Sequence, residues 1–430
     1  MLPFPRAFWA VFACVLVLFP PRLAPAQPDS YDASWYVPNA PHLKINVAHD
    51  GVYRVSASTL QAALPNGTRL SDIAPETLRL IENGTEVPIE IQGAADGTLD
   101  PTDTITFVGR RNRGGDEVWA YNGNASAQSS TARSLYSDTT HYWMTWGGAS
   151  GLRYEPTSAA STAPTTALPD TAHIEQDQHY YFGRPGRTGN PLYTRSEGYY
   201  WRRFRHNDTE PLSATYTLPV GRRTASGDSL HLSLRFDAET NASCHRVEVE
   251  GELLQPDGPR AFESLQTREW EDLNRVTVEA TVAQNRIPDT GLPLRITSYN
   301  SGFANANCPD PTSTPNYVLF DWAEAVYRRS LAARDNQQRL SVPAAGARTM
   351  ALTGHTGDSV RVYNPADGHR YAAPVDGDTA SVSVAPAAGP TTLWAVGGSG
   401  YERPASVEPD APSNWSTPTA HGADYVLLTT

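Results

Sequence analysis

The chain has 430 residues, 39% of them hydrophobic, with 32 Gly, 35 Pro and a net charge of −12. That length suggests two to four domains, and the abundance of Gly and Pro favours many short strands joined by turns over long helices. The acidic balance and the absence of a basic cluster exclude the footprint of a nucleic-acid-binding protein.

In chain order, Arg6 is followed by the apolar run "AFWAVFACVLVLF", and Ala24 and Ala26 form a small-x-small pattern before Gln27. An apolar stretch of this length is short for a membrane span and fits a secretory signal peptide, residues 1–26. No other run of about twenty apolar residues occurs, so no membrane span is expected in the mature chain. The product is expected in the periplasm, at the cell surface or outside the cell.

Residues 27–165 read as an N-terminal β domain. "LKINVAHDGVYRVS" alternates apolar and polar residues on both sides of a turn at Asp50 and Gly51. "SASTLQAAL" is a short helix with Ser58 as a possible cap. "TLRLIENGTEVPIEI" reads as a hairpin around Asn83 and Gly84. "DGTLDPTDTITFVG" is a loop leading into a strand, and "TTHYWMTW" is a further strand. The Ser/Thr/Ala/Pro-rich stretch 158–169 reads as a linker.

Residues 166–334 carry "LHLSLRFDAET", "HRVEVEGELL", "NRVTVEATV", "LPLRITSYN" and "YVLFDWAEAVYRR" at the spacing of a jelly-roll-like β-sandwich. Residues 335–400 hold several short strands, enough for a small Ig-like β domain. Residues 401–422 are rich in Pro and Ser and read as a linker. The closing "GADYVLLTT", residues 423–430, reads as a buried strand of the parallel-sheet kind. The predicted class is all-β, as consecutive sandwich modules.

Candidate chemistry is sparse. No Gly-x-Ser-x-Gly elbow, His-Glu-x-x-His or Cys-x-x-Cys occurs. Cys244 and His245 are adjacent, and strand neighbours point to opposite faces, which argues against a dyad. Asp96, Asp100 and Asp103 share one loop; close-spaced carboxylates can hold Ca²⁺, or can serve as turn formers, and the spacing departs from the EF-hand pattern. No other cofactor is expected. Cys14 leaves with the signal. The remaining pair, Cys244 and Cys308, suggests one disulfide in an oxidising compartment, the alternatives being two separate thiols or one reactive thiol. The aromatic cluster from Tyr180 to Phe204 can stack on sugar rings or pack a sandwich core.

The motifs "LKINVAHDGVYRVSASTL", "LRLIENGTEVPIEI", "DGTLDPTDTITFVG" and "SLYSDTTHYWMTW", taken in order, resemble the opening of gingipain-type (C25 family) cysteine peptidases of the type IX secretion sortase kind. "LFDWAEAVYRR" is similar to a later strand of that family, "RVYNPADGHRY" to a segment further on, and "GADYVLLTT" to the first strand of its caspase-like domain. The resemblance implies a parent enzyme that cleaves or transpeptidates secreted cargo with a Cys nucleophile and a His base. It also implies cargo proteins or secretion-complex subunits as partners. In the family those catalytic residues lie beyond the matching strand, so no catalytic residue is expected in these 430 residues, and the chain is expected to be cut at the start of the peptidase domain. The rival reading is a free-standing secreted β-sandwich protein that binds glycan or protein.

The signal pattern makes a prediction. Exported protein should begin near Gln27 by intact-mass analysis, and an intact Met1 on soluble exported material would overturn the reading.

Overall fold

The computed structural model describes residues 35–36, 40–121, 123–181, 198–206, 211–224, 227–240, 244–271, 273–299 and 317–410. The signal segment, Cys308 and the closing strand at 423–430 lie outside the described residues.

The first module contains β1 (His42–Val47), β2 (Gly51–Ser56), α1 (Ala57–Ala63), β3 (Arg79–Glu82), β4 (Thr85–Val87), β5 (Glu90–Gln92), β6 (Thr104–Gly109) and β7 (Thr140–Thr145). Its sheets run β1-β7-β3-β4 and β2-β6-β5. Alternating apolar residues face a shared core that includes Leu43, Ile45, Val55, Leu60, Phe107 and Met144. The Asn83–Gly84 turn forms as expected, with φ of 46° and 81°, the left-handed pair that a two-residue hairpin requires. Two expectations are corrected. The turn at Asp50–Gly51 does not close a hairpin, because β1 pairs with β7 and β2 with β6. The helix cap is Ser56, which accepts a hydrogen bond from the Thr59 amide at 3.2 Å, two residues before Ser58.

After the two-residue strand β8 (Glu155–Pro156), the sandwich contains β9 (Ala167–Glu175), β10 (His179–Tyr180), β11 (Tyr199–Tyr200), β12 (Arg202–Arg205), β13 (Leu212–Leu218), β14 (Ser229–Ala238), β15 (Cys244–Gln255), β16 (Gly258–Glu271), β17 (Val276–Ala283), β18 (Leu292–Tyr299) and β19 (Tyr317–Ser330). One sheet runs β12-β19-β14-β17, with β9 also on β19; the facing sheet runs β13-β18-β15-β16. The fourteen residues of β19 serve two partners on one edge, β12 along its first part and β9 along the rest. Period-2 burial along β14 and β15 sends Leu230, Leu232, Leu234, Val247 and Val249 into one core. Phe320 sits at its aromatic centre, 4.9 Å from the Tyr216 ring and 5.4 Å from Phe236.

The third module contains β20 (Gln337–Val342), β21 (Arg348–Thr353), β22 (Ser359–Asn364), β23 (His369–Pro374), β24 (Thr379–Val384) and β25 (Thr391–Gly397). Its sheets run β20-β25-β22-β23-β8 and β21-β24.

The described parts of both expected linkers, 158–169 and 401–410, make ordered contacts; 411–422 lies outside the described residues. In the 158–169 stretch, Thr162 N donates to Thr349 Oγ1 at 2.8 Å, Thr165 bridges to Met350, and β9 begins at Ala167. Leu168 and Leu331, from the sandwich strands' ends, enter the core of the third module. In the 401–422 stretch, Ser406–Pro409 forms β26 and pairs with β1 across some 360 positions of sequence. Just before it, Arg54 N donates to Glu402 O and Glu402 N to Val52 O. The reason is physical: β1 would otherwise present an open edge. Ten residues of polar chain therefore close both sheets of the first module.

A separate core joins the first and third modules. It comprises Val52, Val108, Tyr154, Tyr363, Trp394 and Val396. Tyr363 Oη donates to Glu90 Oε2, and Arg370 lies 3.5 Å from the same carboxylate. The three modules belong to one compact unit.

Phe320→Ala should lower unfolding stability by about 3–5 kcal/mol, because a fully buried ring among three aromatic neighbours leaves a cavity. Chemical denaturation of the purified chain measures it; a loss below about 1 kcal/mol would contradict the packing described.

Candidate docking cleft

A cleft of about 710 Å³ is lined by residues of all three modules. The first module and its closing segment bring Asp50 and Glu402. The sandwich brings Asp170, His173, Arg222, Tyr327 and Arg329, and the third module brings Arg334, Asp335, Gln337, Arg339 and Trp394.

Its walls are fixed by named contacts. Arg329 Nη1 donates to Asp170 Oδ2 at 2.9 Å while Nη2 donates to Gln338 Oε1 and to the Arg339 carbonyl, so one guanidinium stitches sandwich to third module. Gln337 Nε2 donates to the Gly400 carbonyl at 2.7 Å, and Gln337 Oε1 accepts from Val52 N. That close approach explains Gly51: a Cβ there would stand 3.0 Å from both Gln337 Oε1 and Glu402 Cγ. The Tyr327 hydroxyl donates to the Gly221 carbonyl, and burial, helped by Asp170, pushes its pKa up to about 12.

Backbone strain gathers at the cleft. Asp335 and Asn336, at φ 51° and 62°, form the tight turn into β20, where Arg334 and Gln337 exchange backbone hydrogen bonds. Arg222 is held at φ 52° because its carbonyl accepts from both the amide and the hydroxyl of Ser330. Burial, then the charges of Arg329 and Arg334, hold the Arg222 guanidinium below its usual pKa.

The charges are mixed and largely spoken for: Asp50 pairs with Arg113, Asp170 with Arg329, Asp289 with Arg223 and Asp335 with Arg334. Among the described residues, Arg222 and Arg339 have no carboxylate within salt-bridge distance. The cleft therefore offers guanidinium donors, backbone groups and the Trp394 edge to a polar ligand, and no nucleophile–base pair. A Ser–His contact exists elsewhere, His206 Nε2 to Ser298 Oγ at 3.0 Å, but both residues are fully buried in the sandwich and out of reach of a substrate.

The residues singled out from sequence lie elsewhere. Asp96 Oδ1 accepts from Thr98 N at 3.1 Å and is held below its usual pKa mainly by that bond. The buried Asp103 accepts from the Asp100 amide at 2.8 Å. Asp96 and Asp103 thus serve as turn acceptors, and among the described residues no group of three or more His, Cys, Asp or Glu is placed to hold a metal ion. Cys244 opens β15 and is disulfide-bonded. His245 points to the opposite, buried face and packs on Trp270 at 5.2 Å. Of the aromatic cluster, Trp201 packs on Tyr216 and Phe320, in the sandwich rather than at a ligand face. No helix among the described residues is long and apolar enough to cross a membrane. The Arg222 and Arg339 positions carried no sequence motif, and Arg329 closes the "LFDWAEAVYRR" strand without a sign of its place in the cleft. Only "RDNQ" around Asp335 and Asn336 held a usable turn signal.

One wall of the cleft carries a proton-sensitive cluster. His173 contacts Glu324 Oε2 through Nδ1 at 3.2 Å and Glu175 Oε2 through Nε2 at 2.9 Å. Ser130 donates to the same Glu175 oxygen, and Trp322 Nε1 donates to the Ser129 carbonyl, so the cluster fastens the first module's loop to β9 and β19.

Compared with known proteins, the sequence matches no family profile and no curated protein. Its three-module architecture is similar to the crystal structure of dimeric latent PorU from Porphyromonas gingivalis, with a TM-score of 0.54 and 13% identity over 86% of this chain. The chain spans 33% of that structure's length. The fold is thus PorU-like: all-β, in sandwich modules. The CBM22-1 xylan-binding domain of Paenibacillus barcinonensis Xyn10C matches at 8% identity over 39% of this chain and 98% of its own, with a TM-score of 0.20. The ANXUR2 extracellular domain of Arabidopsis thaliana also scores 0.20, at 8% identity over 69% of this chain and 80% of its own. Scores that low carry no argument.

The His173 cluster predicts a pH dependence. Burial alone would lower the imidazole pKa, but hydrogen bonds and charge from Glu175 and Glu324 outweigh it and raise the value above 6.5. A raised folded-state pKa stabilises fully below about pH 6.5, and the gain is lost as pH climbs through the raised value. His173→Gln should therefore lower the melting temperature at pH 5.5 by about 2 °C, on the order of 1 kcal/mol for partly exposed partners, and by less at pH 9. Equal losses at both pH values would refute it.

Proposed function

We propose that this chain is the non-catalytic β-module region of a PorU-like, C25-type cysteine peptidase or sortase that handles secreted cargo at the cell surface, in the context of type IX secretion. The supporting observation is the likeness to PorU across all three modules, at a TM-score of 0.54 over 86% of the chain. In this reading the peptidase chemistry, a Cys nucleophile with a His base, resides in a separate catalytic domain. The β-modules hold cargo or a secretion-complex subunit near it, and the three-module cleft is the docking place. Arg222 and Arg339 meet carboxylates or carbonyls of the bound polypeptide, as guanidinium groups do when no internal acid claims them.

A second reading, a surface glycan-binding protein, has one specific observation in its favour. Trp119 and Tyr136 are 49% and 54% exposed and lie nearly parallel, 6.0 Å apart and 7° between planes. Exposed aromatic faces of this kind can stack on sugar rings.

Two measurements test the proposal. The purified chain should not hydrolyse Arg- or Lys-containing peptides; thiol-dependent activity lost on Cys244→Ala would refute it. Immobilised C-terminal signal domains of type IX cargo should bind the chain, and the Arg222→Glu/Arg339→Glu double variant should bind them at least tenfold more weakly. Failure of the wild type to bind them, with capture on a glycan array that Trp119→Ala abolishes, would replace this reading with the second.

A further inference from the structure

A second cavity, of about 610 Å³, lies on the other side of the segment that closes the first module. Arg54, Ser56 and Thr59 come from β2 and α1, and Tyr401, Arg403 and Ser406 from the closing segment. Two guanidinium groups face it, and no carboxylate lines it. Of the acids in the closing segment, Glu402 lines the three-module cleft, and Glu408 accepts from Ser406 and Asn46.

Arg54 lies 3.3 Å above the centre of the Tyr401 ring, whose hydroxyl accepts from Arg361 Nη1 at 3.4 Å. Among the described residues neither Arg54 nor Arg403 has a carboxylate within salt-bridge distance. The ring holds the first guanidinium in place without neutralising it, and Arg403 is exposed. On a chain of net charge −12 this is a local reversal of sign. The volume is that of a ligand pocket and larger than a single oxyanion needs. One wall is β26, an edge strand with β1 on one side and, among the described residues, no strand on the other. Such an edge offers backbone donors and acceptors to an extended chain.

We propose that this cavity binds an extended polypeptide segment bearing Asp or Glu side chains, which runs along the free edge of β26 and places a carboxylate against Arg54 and Arg403. The site is independent of the three-module cleft and of any role in secretion.

The test uses acetylated, amidated hexaglutamate and hexaglutamine peptides as probes, with the whole chain, by calorimetry at about 0.1 M salt, where surface charges are screened beyond roughly 10 Å. Hexaglutamate should bind at least tenfold more tightly than hexaglutamine, and should protect backbone amides within residues 405–408 from hydrogen exchange. Arg403→Glu should weaken hexaglutamate at least tenfold with an unchanged melting temperature, since the side chain is exposed. Arg54→Gln should weaken it as well, and the Arg403 variant stands alone if loss of the Tyr401 stacking unfolds the module. Equal affinity for the two peptides, no effect of Arg403→Glu, or complete displacement by equimolar sulfate would overturn the proposal, the last result marking a site for a small oxyanion only.

Discussion

The structure depends on the return of residues 401–410 to the first module. A sheet is stable when both its faces and its edges are satisfied, and β1 gains its second neighbour only when β26 arrives from the far end of the described chain. The same segment pairs with β2 through Glu402, and the carbonyl of Gly400, just before it, anchors Gln337. Because the third module lies between those contacts in sequence, the first module cannot be completed unless the third is in place. The shared core at Val52, Tyr154, Tyr363 and Trp394 is the apolar counterpart of that closure.

This closure positions both cavities. The three-module cleft forms where Asp50, Gly51 and Glu402 meet the β20 turn, and the hydroxyl- and arginine-lined cavity forms on the opposite side of the same ten residues. A binding surface made in this way is held by covalent continuity and by packing on two sides. It needs no long ordered loop of its own, which limits the conformational entropy lost when a ligand binds.

Charged groups serve the junctions more than the surface. Arg329 joins β19 to β20, Arg370 and Tyr363 meet Glu90 between the first and third modules, and the His173 cluster fastens the first module's loop to the sandwich. Each uses directional hydrogen bonds where apolar area is limited, so module orientation is specified by geometry as well as by burial.

The sequence by itself determined the class and most strands. Strict alternation in "LHLSLRFDAET" and "HRVEVEGELL", and the Asn-Gly turn at 83–84, are local signals that burial and backbone sterics make legible. It did not reveal β16 or β26, whose residues carry little apolar periodicity because these strands gain their stability mainly from ladder partners, nor β23, where only Tyr371 and Ala373 enter the third module's core. It misplaced the partner of β1, since pairing is decided by which edges remain open after folding. It also gave no sign of either cavity. Arg222, Arg339 and Arg403 lie outside any motif, and Arg54 sits in the "DGVYRV" motif without a sign of this role; only the tertiary structure brings them to concave surfaces where no carboxylate neutralises them. Spatial convergence of distant residues leaves no periodic trace along a chain; the closure of an edge by residues some 360 positions away is decided by folding alone.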